Sequence, residues 1–229
     1  AHPSVSAGYD SRLWKAMGLS RTGKWAEARE LFKGVDFAIG ALPIDLQRIA
    51  ILDALELLCQ RRKVRAVYAM PTLHNPLGWV MSINRRHAFA ALIRRHGLLL
   101  IEDAAYAFLA QDAPPPMAAL LPESTVYVSG FSKSVATGLR VGFVAAPAAW
   151  ISWIERAIRA TTWNTPGVMT AMVVSWLRDG TVARLEAQKR EDARMRQKQV
   201  TQVFKGLPCM RHPSSYFVWL PMPDRKSVV

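Results

Sequence analysis

Four short runs of almost unbroken apolar residues recur along the chain, and longer polar or helical stretches separate them. These runs are 64–70 (VRAVYAM), 98–101 (LLLI), 125–129 (TVYVS) and 141–145 (VGFVA). Strands with one solvated face alternate apolar and polar residues, whereas strands covered on both faces by helices stay apolar throughout. Between the first two runs, residues 82–96 predict a helix, with Ser82 at its N-cap and Gly97 as its stop. The order predicts an α/β domain with a mostly parallel sheet covered by helices.

The character of the chain changes near residue 181. Residues 181–204 form a long charged stretch without glycine or proline, which predicts a helix, and residues 216–220 (YFVWL) predict a strand. We therefore expect residues 1–180 to form a large domain and residues 181–229 to form an interdomain helix and the start of a smaller α+β domain. The chain begins at an alanine and stops soon after a strand, so we expect both domains to be incomplete.

Composition and charge limit the class of protein. Hydrophobic residues make up 51% and charged residues 21% of the 229 residues, as in folded globular proteins. The net charge of +13 would attract phosphates, acidic partners or nucleic acid. The basic residues are scattered in doublets such as Arg61-Arg62, Arg85-Arg86 and Arg94-Arg95, which are typical of solvated helix faces. We therefore do not expect this chain itself to bind DNA.

Several features predict a cytoplasmic protein without a metal site. Cys59 and Cys209 lie far apart and outside any redox or metal pattern, which favours a reducing compartment. No signal peptide is visible, and the most apolar stretch, 141–154, is short and contains Pro147. His87 and His96 are nine residues apart on one predicted helix, which is not a metal-ligand spacing.

Polar residues follow three of the predicted strands. Asn75, Asp103 and Lys133 come directly after the first, second and third runs. Ligands of parallel α/β sheets bind at the carboxyl ends of the strands. An aldehyde cofactor with a pyridine ring needs a lysine for the Schiff base and a carboxylate beside the ring nitrogen. Its phosphate needs hydroxyl groups and a guanidinium. Each residue alone is common in loops and turns, but the three segments together supply every one of these groups.

The same segments resemble the fold-type I pyridoxal phosphate (PLP)-dependent aminotransferases of class I/II. The family's Asn-Pro-x-Gly is present as Asn75 to Gly78, and its Asp-x-x-Tyr as Asp103 to Tyr106. Its Ser-Lys followed by Gly-x-Arg-x-Gly is present as Ser132-Lys133 and 138–142. The spacings, 28 residues from Asn75 to Asp103 and 30 from Asp103 to Lys133, are also typical of the family.

The resemblance implies a role for each matching residue. Lys133 would form the Schiff base with PLP and shuttle the proton, and Asp103 would pair with the pyridine nitrogen. The remaining contacts would be to the ring hydroxyl, from Asn75 and Tyr106, and to the phosphate, from Ser132 and Arg140. Gly130 departs from the pattern, because many members have a phosphate-binding serine three residues before the lysine. Ser129 or Ser132 would have to compensate.

The resemblance also implies a homodimer that acts on an amino acid and a 2-oxo acid. No membrane partner is expected, because the most apolar stretch is too short to span a bilayer. We expect the family's phosphate-cradling loop to precede His2 and its substrate-binding arginine to follow Val229. Three segments, 133–147, 162–166 (TWNTP) and 215–221 (SYFVWLP), more closely resemble the MocR-type regulators of the GntR group. Those proteins join a DNA-binding winged helix to an aminotransferase-like sensor domain.

Three hypotheses stay open from the sequence. The protein is an aminotransferase, or the effector-sensing domain of a MocR-type regulator that binds PLP without turnover, or a cofactor-free remnant. DNA is a partner only if a winged-helix domain precedes residue 1 in the whole protein.

Overall fold

Residues 51–221 are the residues that a computed structural model of the chain describes, and helices and strands alternate in their first part, up to residue 145. The helices are α1 Ile51–Arg61, α2 Ile83–His96, α3 Met117–Leu120, α4 Ala148–Thr161, α5 Gly167–Arg178 and α6 Thr181–Val203. The strands are β1 Ala66–Ala69, β2 Leu99–Asp103, β3 Thr125–Gly130, β4 Gly142–Ala145, β5 Met210–Arg211 and β6 Val218–Trp219. Two 3-10 turns span Ala107–Leu109 and Thr137–Leu139.

The main sheet has four strands in the order β1-β2-β3-β4. The strands β1, β2 and β3 run parallel, with Tyr68 opposite Ile101 and Asp103 opposite Val128. Strand β4 runs antiparallel to β3, and Gly130 lies opposite Gly142. The predicted α/β class with a mostly parallel sheet is confirmed, and each of the four apolar runs contains or overlaps one strand.

Helices α2 and α3 cover one face of this sheet. The predicted cover on both faces is not observed in residues 51–221, because Tyr68 of β1 and Phe143 of β4 are 62% and 48% exposed. Helix α2 places Phe89, Leu92 and Ile93 at helical spacing, all at most 5% exposed, against Leu100 of β2. The helix ends where predicted, because Gly97 adopts the left-handed conformation with φ 59°. Ser82 occupies the N-cap position, but its side chain makes no capping hydrogen bond. Burial of this apolar face holds the helix on the sheet.

The predicted 181–204 helix is observed as α6, whereas the predicted 216–220 strand is reduced to β6. The amide of Gln197 on α6 donates to the carbonyl oxygens of Ser215 and Phe217. These two carbonyls therefore bind a helix side chain instead of a neighbouring strand, and only Val218–Trp219 pairs, antiparallel, with β5. The domain boundary after residue 180 stays a prediction. Residues 1–50 of the first predicted domain and 222–229 of the second lie outside the described residues.

Residues Trp150–Asn164 belong to a compact unit separate from the one that contains 52–149 and 165–221. Within that segment, the Arg156 guanidinium lies 4.2 Å from the centre of the Trp153 ring. Every predicted site residue belongs to the larger unit. Among the helices of residues 51–221, none is long and apolar enough to cross a membrane.

Candidate functional site

The carboxyl ends of three parallel strands lie at one edge of the main sheet. The loop after β1 carries Asn75, β2 ends at Asp103, and the loop after β3 carries Lys133. Because β1, β2 and β3 are parallel neighbours, these residues are at the same edge. This is the arrangement that the apolar runs predict, and it is the edge at which parallel sheets bind ligands.

A tight turn presents Asn75 to solvent. The Gly78 N–H donates to the His74 carbonyl at 2.6 Å, and the His74 N–H donates to the Trp79 carbonyl at 2.9 Å. Gly78 has φ +69°, and a Cβ there would lie 2.9 Å from the backbone nitrogen of His212. Both the conformation and the close approach require glycine. The Asn75–Pro76 peptide bond is cis, and the Asn75 side chain is exposed.

The imidazole of His74 is partly buried beside this turn. Its ring stacks on the Trp79 ring with centroids 5.1 Å apart and an interplanar angle of 14°. Within the described part of the chain, its Nδ1 is buried and has no hydrogen-bond partner. Burial lowers the pKa of His74, which favours the neutral ring.

The backbone before this turn is held by Arg86, a residue that the sequence patterns did not single out. Its guanidinium is fully buried and donates to the carbonyl oxygens of Met81, Pro115 and Pro71 and to the Thr72 hydroxyl. The interpretation of the Arg85-Arg86 doublet as a solvated face is therefore wrong for Arg86. Its position could have been found from helical phase, because Arg86 is in register with Phe89 and Ile93 on the apolar face of α2.

Glu102, beside Asp103, is a second buried charged residue. It is 1% exposed, and its carboxylate oxygens accept the N–H groups of Met117 and Ala118 at 3.0 and 2.9 Å. The carboxylate therefore caps the N-terminus of α3. Burial raises the pKa of Glu102, while these two backbone hydrogen bonds and the Arg86 charge act in the opposite direction.

The Asp103 carboxylate is held by two donors. Its Oδ1 accepts the Ala105 N–H at 2.9 Å, and its Oδ2 accepts the Tyr68 hydroxyl. Desolvation and this hydrogen bond raise the pKa of Tyr68. Tyr68 is also absent from the predicted site residues; it lies on β1 opposite Ile101 and so shares a sheet face with Asp103, two residues further along β2. Both carboxylate oxygens keep lone pairs for a further donor.

Lys133 and Tyr106 are brought together although 27 positions separate them in the sequence. The Lys133 ammonium lies 5.8 Å from the centre of the Tyr106 ring, within cation–π range. The Tyr106 ring contacts Phe217 edge-on, with centroids 5.4 Å apart. The Lys133 side chain is exposed at the sheet edge and accessible to a ligand.

Ser132 and Arg140 lie near the two ends of the connection between β3 and β4, residues 131–141. The connection begins with one helical turn, in which the N–H groups of Val135 and Ala136 both donate to the Phe131 carbonyl. Arg140 is exposed and adopts the left-handed conformation with φ 52°. No hydrogen bond within residues 51–221 joins the side chain of Ser132 or Arg140 to Asn75, Asp103 or Lys133.

The close approach of β3 and β4 explains Gly130. A Cβ at this position would lie 2.9 Å from the Val141 carbonyl oxygen and 3.0 Å from the Gly142 Cα. A serine at this position would therefore collide with backbone. The neighbouring Ser129 hydroxyl, on β3, already donates to the carbonyl of Ala104, the residue after β2, at 3.4 Å.

The donors at this edge fit PLP in their chemistry. An amine, a carboxylate with free lone pairs and an exposed guanidinium correspond to the aldehyde, the protonated ring nitrogen and the phosphate. The groups come from separate loops of one sheet edge, as sites in parallel α/β proteins do.

Comparison with known proteins gives consistent matches. Residues 24–228 match the family model described as aminotransferase class I and II. A 2-aminoadipate transaminase from Thermus thermophilus is 27% identical over 182 residues, which are 75% of this chain and 46% of that protein. YdeF of Bacillus subtilis, described as an uncharacterised HTH-type transcriptional regulator, is 26% identical over 175 residues, 76% of this chain and 38% of that protein.

Solved structures agree with these relatives. LysN, the α-aminoadipate aminotransferase of Thermus thermophilus in complex with N-(5'-phosphopyridoxyl)-L-leucine, superposes with a TM-score of 0.68 at 27% identity. The match covers 78% of this chain and 48% of that one. The chain therefore spans less than half the length of these relatives. Because the family model covers most of the sequence, the chain belongs to the class I and II aminotransferase family.

Proposed function

We propose that this chain binds PLP through Lys133 and transfers an amino group between an amino acid and a 2-oxo acid. The observation that carries the proposal is the placement of Lys133 above the Tyr106 ring, with Asp103 at the end of the adjoining strand. The relatives that support it are transaminases and aminotransferases in name. The proposal extends to a homodimer, as the family resemblance implies.

Each residue has a proposed task. Asp103, already oriented by Tyr68 and Ala105, would accept the N–H of the pyridinium and so keep that nitrogen protonated. Asn75 and Tyr106 would bind the ring hydroxyl. When bound, PLP supplies an electron sink for negative charge at the carbon that bears the amino group. The Lys133 Nζ, in its neutral form, would accept the proton from that carbon.

The phosphate contacts are proposed for Ser132 and Arg140. A guanidinium binds phosphate with two parallel hydrogen bonds, which suits the exposed Arg140 side chain. Gly130 supplies no hydroxyl, so this contact set would be smaller than in members that have a serine there.

The test is a PLP titration followed by borohydride reduction and peptide mapping. We expect a new visible absorbance band and a reduced adduct at Lys133, and we expect Lys133→Ala to abolish both. Addition of amino acids should then shift the band to that of the pyridoxamine form. If PLP binds at Lys133 but no amino acid produces this shift, amino transfer is refuted and binding alone stands.

The second candidate function is the ligand-sensing part of a MocR-type transcriptional regulator. The match to HTH-type regulators such as YdeF, of which this chain covers 38%, favours it. In this case, Lys133 and Asp103 would hold PLP in the same way without turnover, and DNA would be bound by a separate domain. Reading the gene upstream of the codon for Ala1 tests this: the absence of a winged-helix segment there would exclude the regulator.

A further inference from the structure

Helix α6 contacts the Lys133 loop through one side chain. The Lys189 ammonium donates to the Val135 carbonyl at 2.9 Å and to the Lys133 carbonyl at 3.3 Å. These carbonyls belong to the single helical turn in which the N–H groups of Val135 and Ala136 donate to the Phe131 carbonyl. One cation therefore binds two outward carbonyls of the turn that carries the candidate Schiff-base lysine.

The next residue of α6 contacts the Tyr106 loop. The Arg190 guanidinium donates to the Phe108 carbonyl at 3.1 Å, and its side chain is 11% exposed. Phe108 lies in the 3-10 turn that directly follows Tyr106. Glu186, one turn earlier on the helix, lies 3.8 Å from the same guanidinium and helps to orient it.

Helix α6 is itself firmly seated beside these loops. Ala193, one helical turn after Lys189, is fully buried and packs with Leu73 of the Asn75 loop and Leu109 of the Tyr106 loop. The helix has 23 residues and is held further by Gln197, which binds the Ser215–Phe217 segment. The ammonium of Lys189 thus projects from a rigid support.

We propose that Lys189 is a positioning residue for Lys133, with Arg190 as the neighbouring anchor of the Tyr106 loop. A lysine side chain has four rotatable bonds, so the place its amine occupies depends on where its backbone is held. Lys189 binds the loop that carries Lys133, and Arg190 binds the Tyr106 loop. Because these two side chains are adjacent on one helix, they hold the two loops at a constant separation. The inference rests on the proposed role of Lys133 as the Schiff-base lysine. Lys189 would act on the backbone that carries Lys133, whereas Asp103 would act on the pyridine ring of PLP.

This role differs from general stabilisation. The hydrogen bond to the Lys133 carbonyl is solvent-exposed and the one to the Val135 carbonyl is part-buried, so both act on the surface loop rather than on the buried core. Loss of Lys189 should therefore alter the loop and its lysine much more than the unfolding midpoint.

The experiment compares Lys189→Met, Lys189→Arg and the control Lys198→Met in the complete chain. Lys198 is an exposed lysine on the same helix. Hydrogen–deuterium exchange without PLP reports the amides of Val135 and Ala136, and visible absorbance reports the apparent Kd for PLP, with Lys133 mapped by borohydride reduction. We expect Lys189→Met to speed exchange at these amides and to raise the apparent Kd about tenfold, the effect of losing a charged hydrogen-bond donor. Lys198→Met should match the wild type, and Lys189→Arg should recover most of the loss.

Each outcome separates the two proposals. If the wild type is modified at Lys133 and Lys189→Met binds PLP as well as Lys198→Met does, the positioning role is refuted and the proposed function stands. If Lys189→Met lowers the unfolding midpoint and Lys189→Arg restores neither exchange nor affinity, Lys189 is only structural and the inference is overturned. If the wild type shows no adduct at Lys133, the proposed function fails and the inference fails with it.

Discussion

Removal of the buried guanidinium of Arg86 should destabilise the protein far more than removal of an exposed arginine from the same helix. In Arg86→Met, the apolar stem is kept, but the Met81 and Pro115 carbonyls and the Thr72 hydroxyl lose a charged donor. The Pro71 carbonyl keeps the N–H of Met81 as a partner. The Met81 carbonyl and the Thr72 hydroxyl are buried acceptors, and the Pro115 carbonyl is part-buried. At about 1 kcal/mol for each of the three, the loss is about 3 kcal/mol at most.

The charge of Arg86 adds to this cost. The Glu102 carboxylate is buried and is stabilised electrostatically by Arg86. Removal of this charge adds a smaller cost to that of the lost hydrogen bonds, because Arg86 is the weakest of the influences on the Glu102 carboxyl. We therefore expect Arg86→Met to lower the free energy of unfolding by about 3 kcal/mol, a large share of the stability of an ordinary domain.

The assay is urea unfolding followed by tryptophan fluorescence. With a slope of about 2 kcal/mol per M urea, the midpoint should fall by about 1.5 M. The matched control is Arg94→Met, eight residues along α2. Arg94 pairs with Glu123 at 2.7 Å, both side chains are 51% exposed, and the change should cost less than about 1 kcal/mol. A midpoint for Arg86→Met no lower than that for Arg94→Met would refute the reasoning.

Three further predictions use the same unfolding assay. Gly78→Ala should cost about 1–2 kcal/mol more than Gly97→Ala, because both have positive φ but only Gly78 closely approaches backbone; equal costs would contradict the contact. Gly130→Ser should destabilise by about 1–3 kcal/mol and should not tighten PLP binding, because its Cβ would meet the Val141 carbonyl; tighter binding without destabilisation would disprove this. Burial lowers the pKa of His74 in the folded state. The folding stability that the neutral ring supports is therefore fully present above the pKa of the unfolded state and is lost as pH falls through the pKa of the folded state. In His74→Phe, the urea midpoint should therefore fall less between about pH 7.5 and about pH 5.5 than it does in the wild type. An equal fall of the midpoint in both proteins would count against burial of the ring.

The main sheet and the edge at which its site residues lie could be predicted because both depend on local pattern. The apolar runs before Asn75, Asp103 and Lys133 alternate with helical stretches, and an alternation of this kind indicates an α/β sheet whose strands are mostly parallel. Their carboxyl ends then share one edge whatever the exact register. The antiparallel direction of β4 could not be predicted in this way, because its apolar run is the same in either direction.

The contacts that orient the site could not be predicted, because each joins residues far apart in the sequence. The Tyr68–Asp103 hydrogen bond needs the register of two strands, and Lys189 meets Val135 across 54 positions. Local composition shows that a lysine occupies a charged helix, but it does not show which carbonyl the helix covers. Gly130 is similar, since its constraint comes from Gly142 on a strand whose pairing the pattern leaves open.

Arg86 and Glu102 connect the stability of the fold with the geometry of the site. Arg86 holds the backbone that leads into the Asn75 turn, and Glu102 lies next to Asp103 while it caps α3. Buried charged groups rarely improve stability over apolar side chains of similar size, so stability alone does not explain their presence. Their hydrogen bonds do specify where two of the three strand ends lie relative to α3. Apolar replacement of both residues would leave the backbone partners of each unpaired, so the urea midpoint should fall at least as far as in Arg86→Met, and Asn75 and Asp103 should be displaced relative to Lys133.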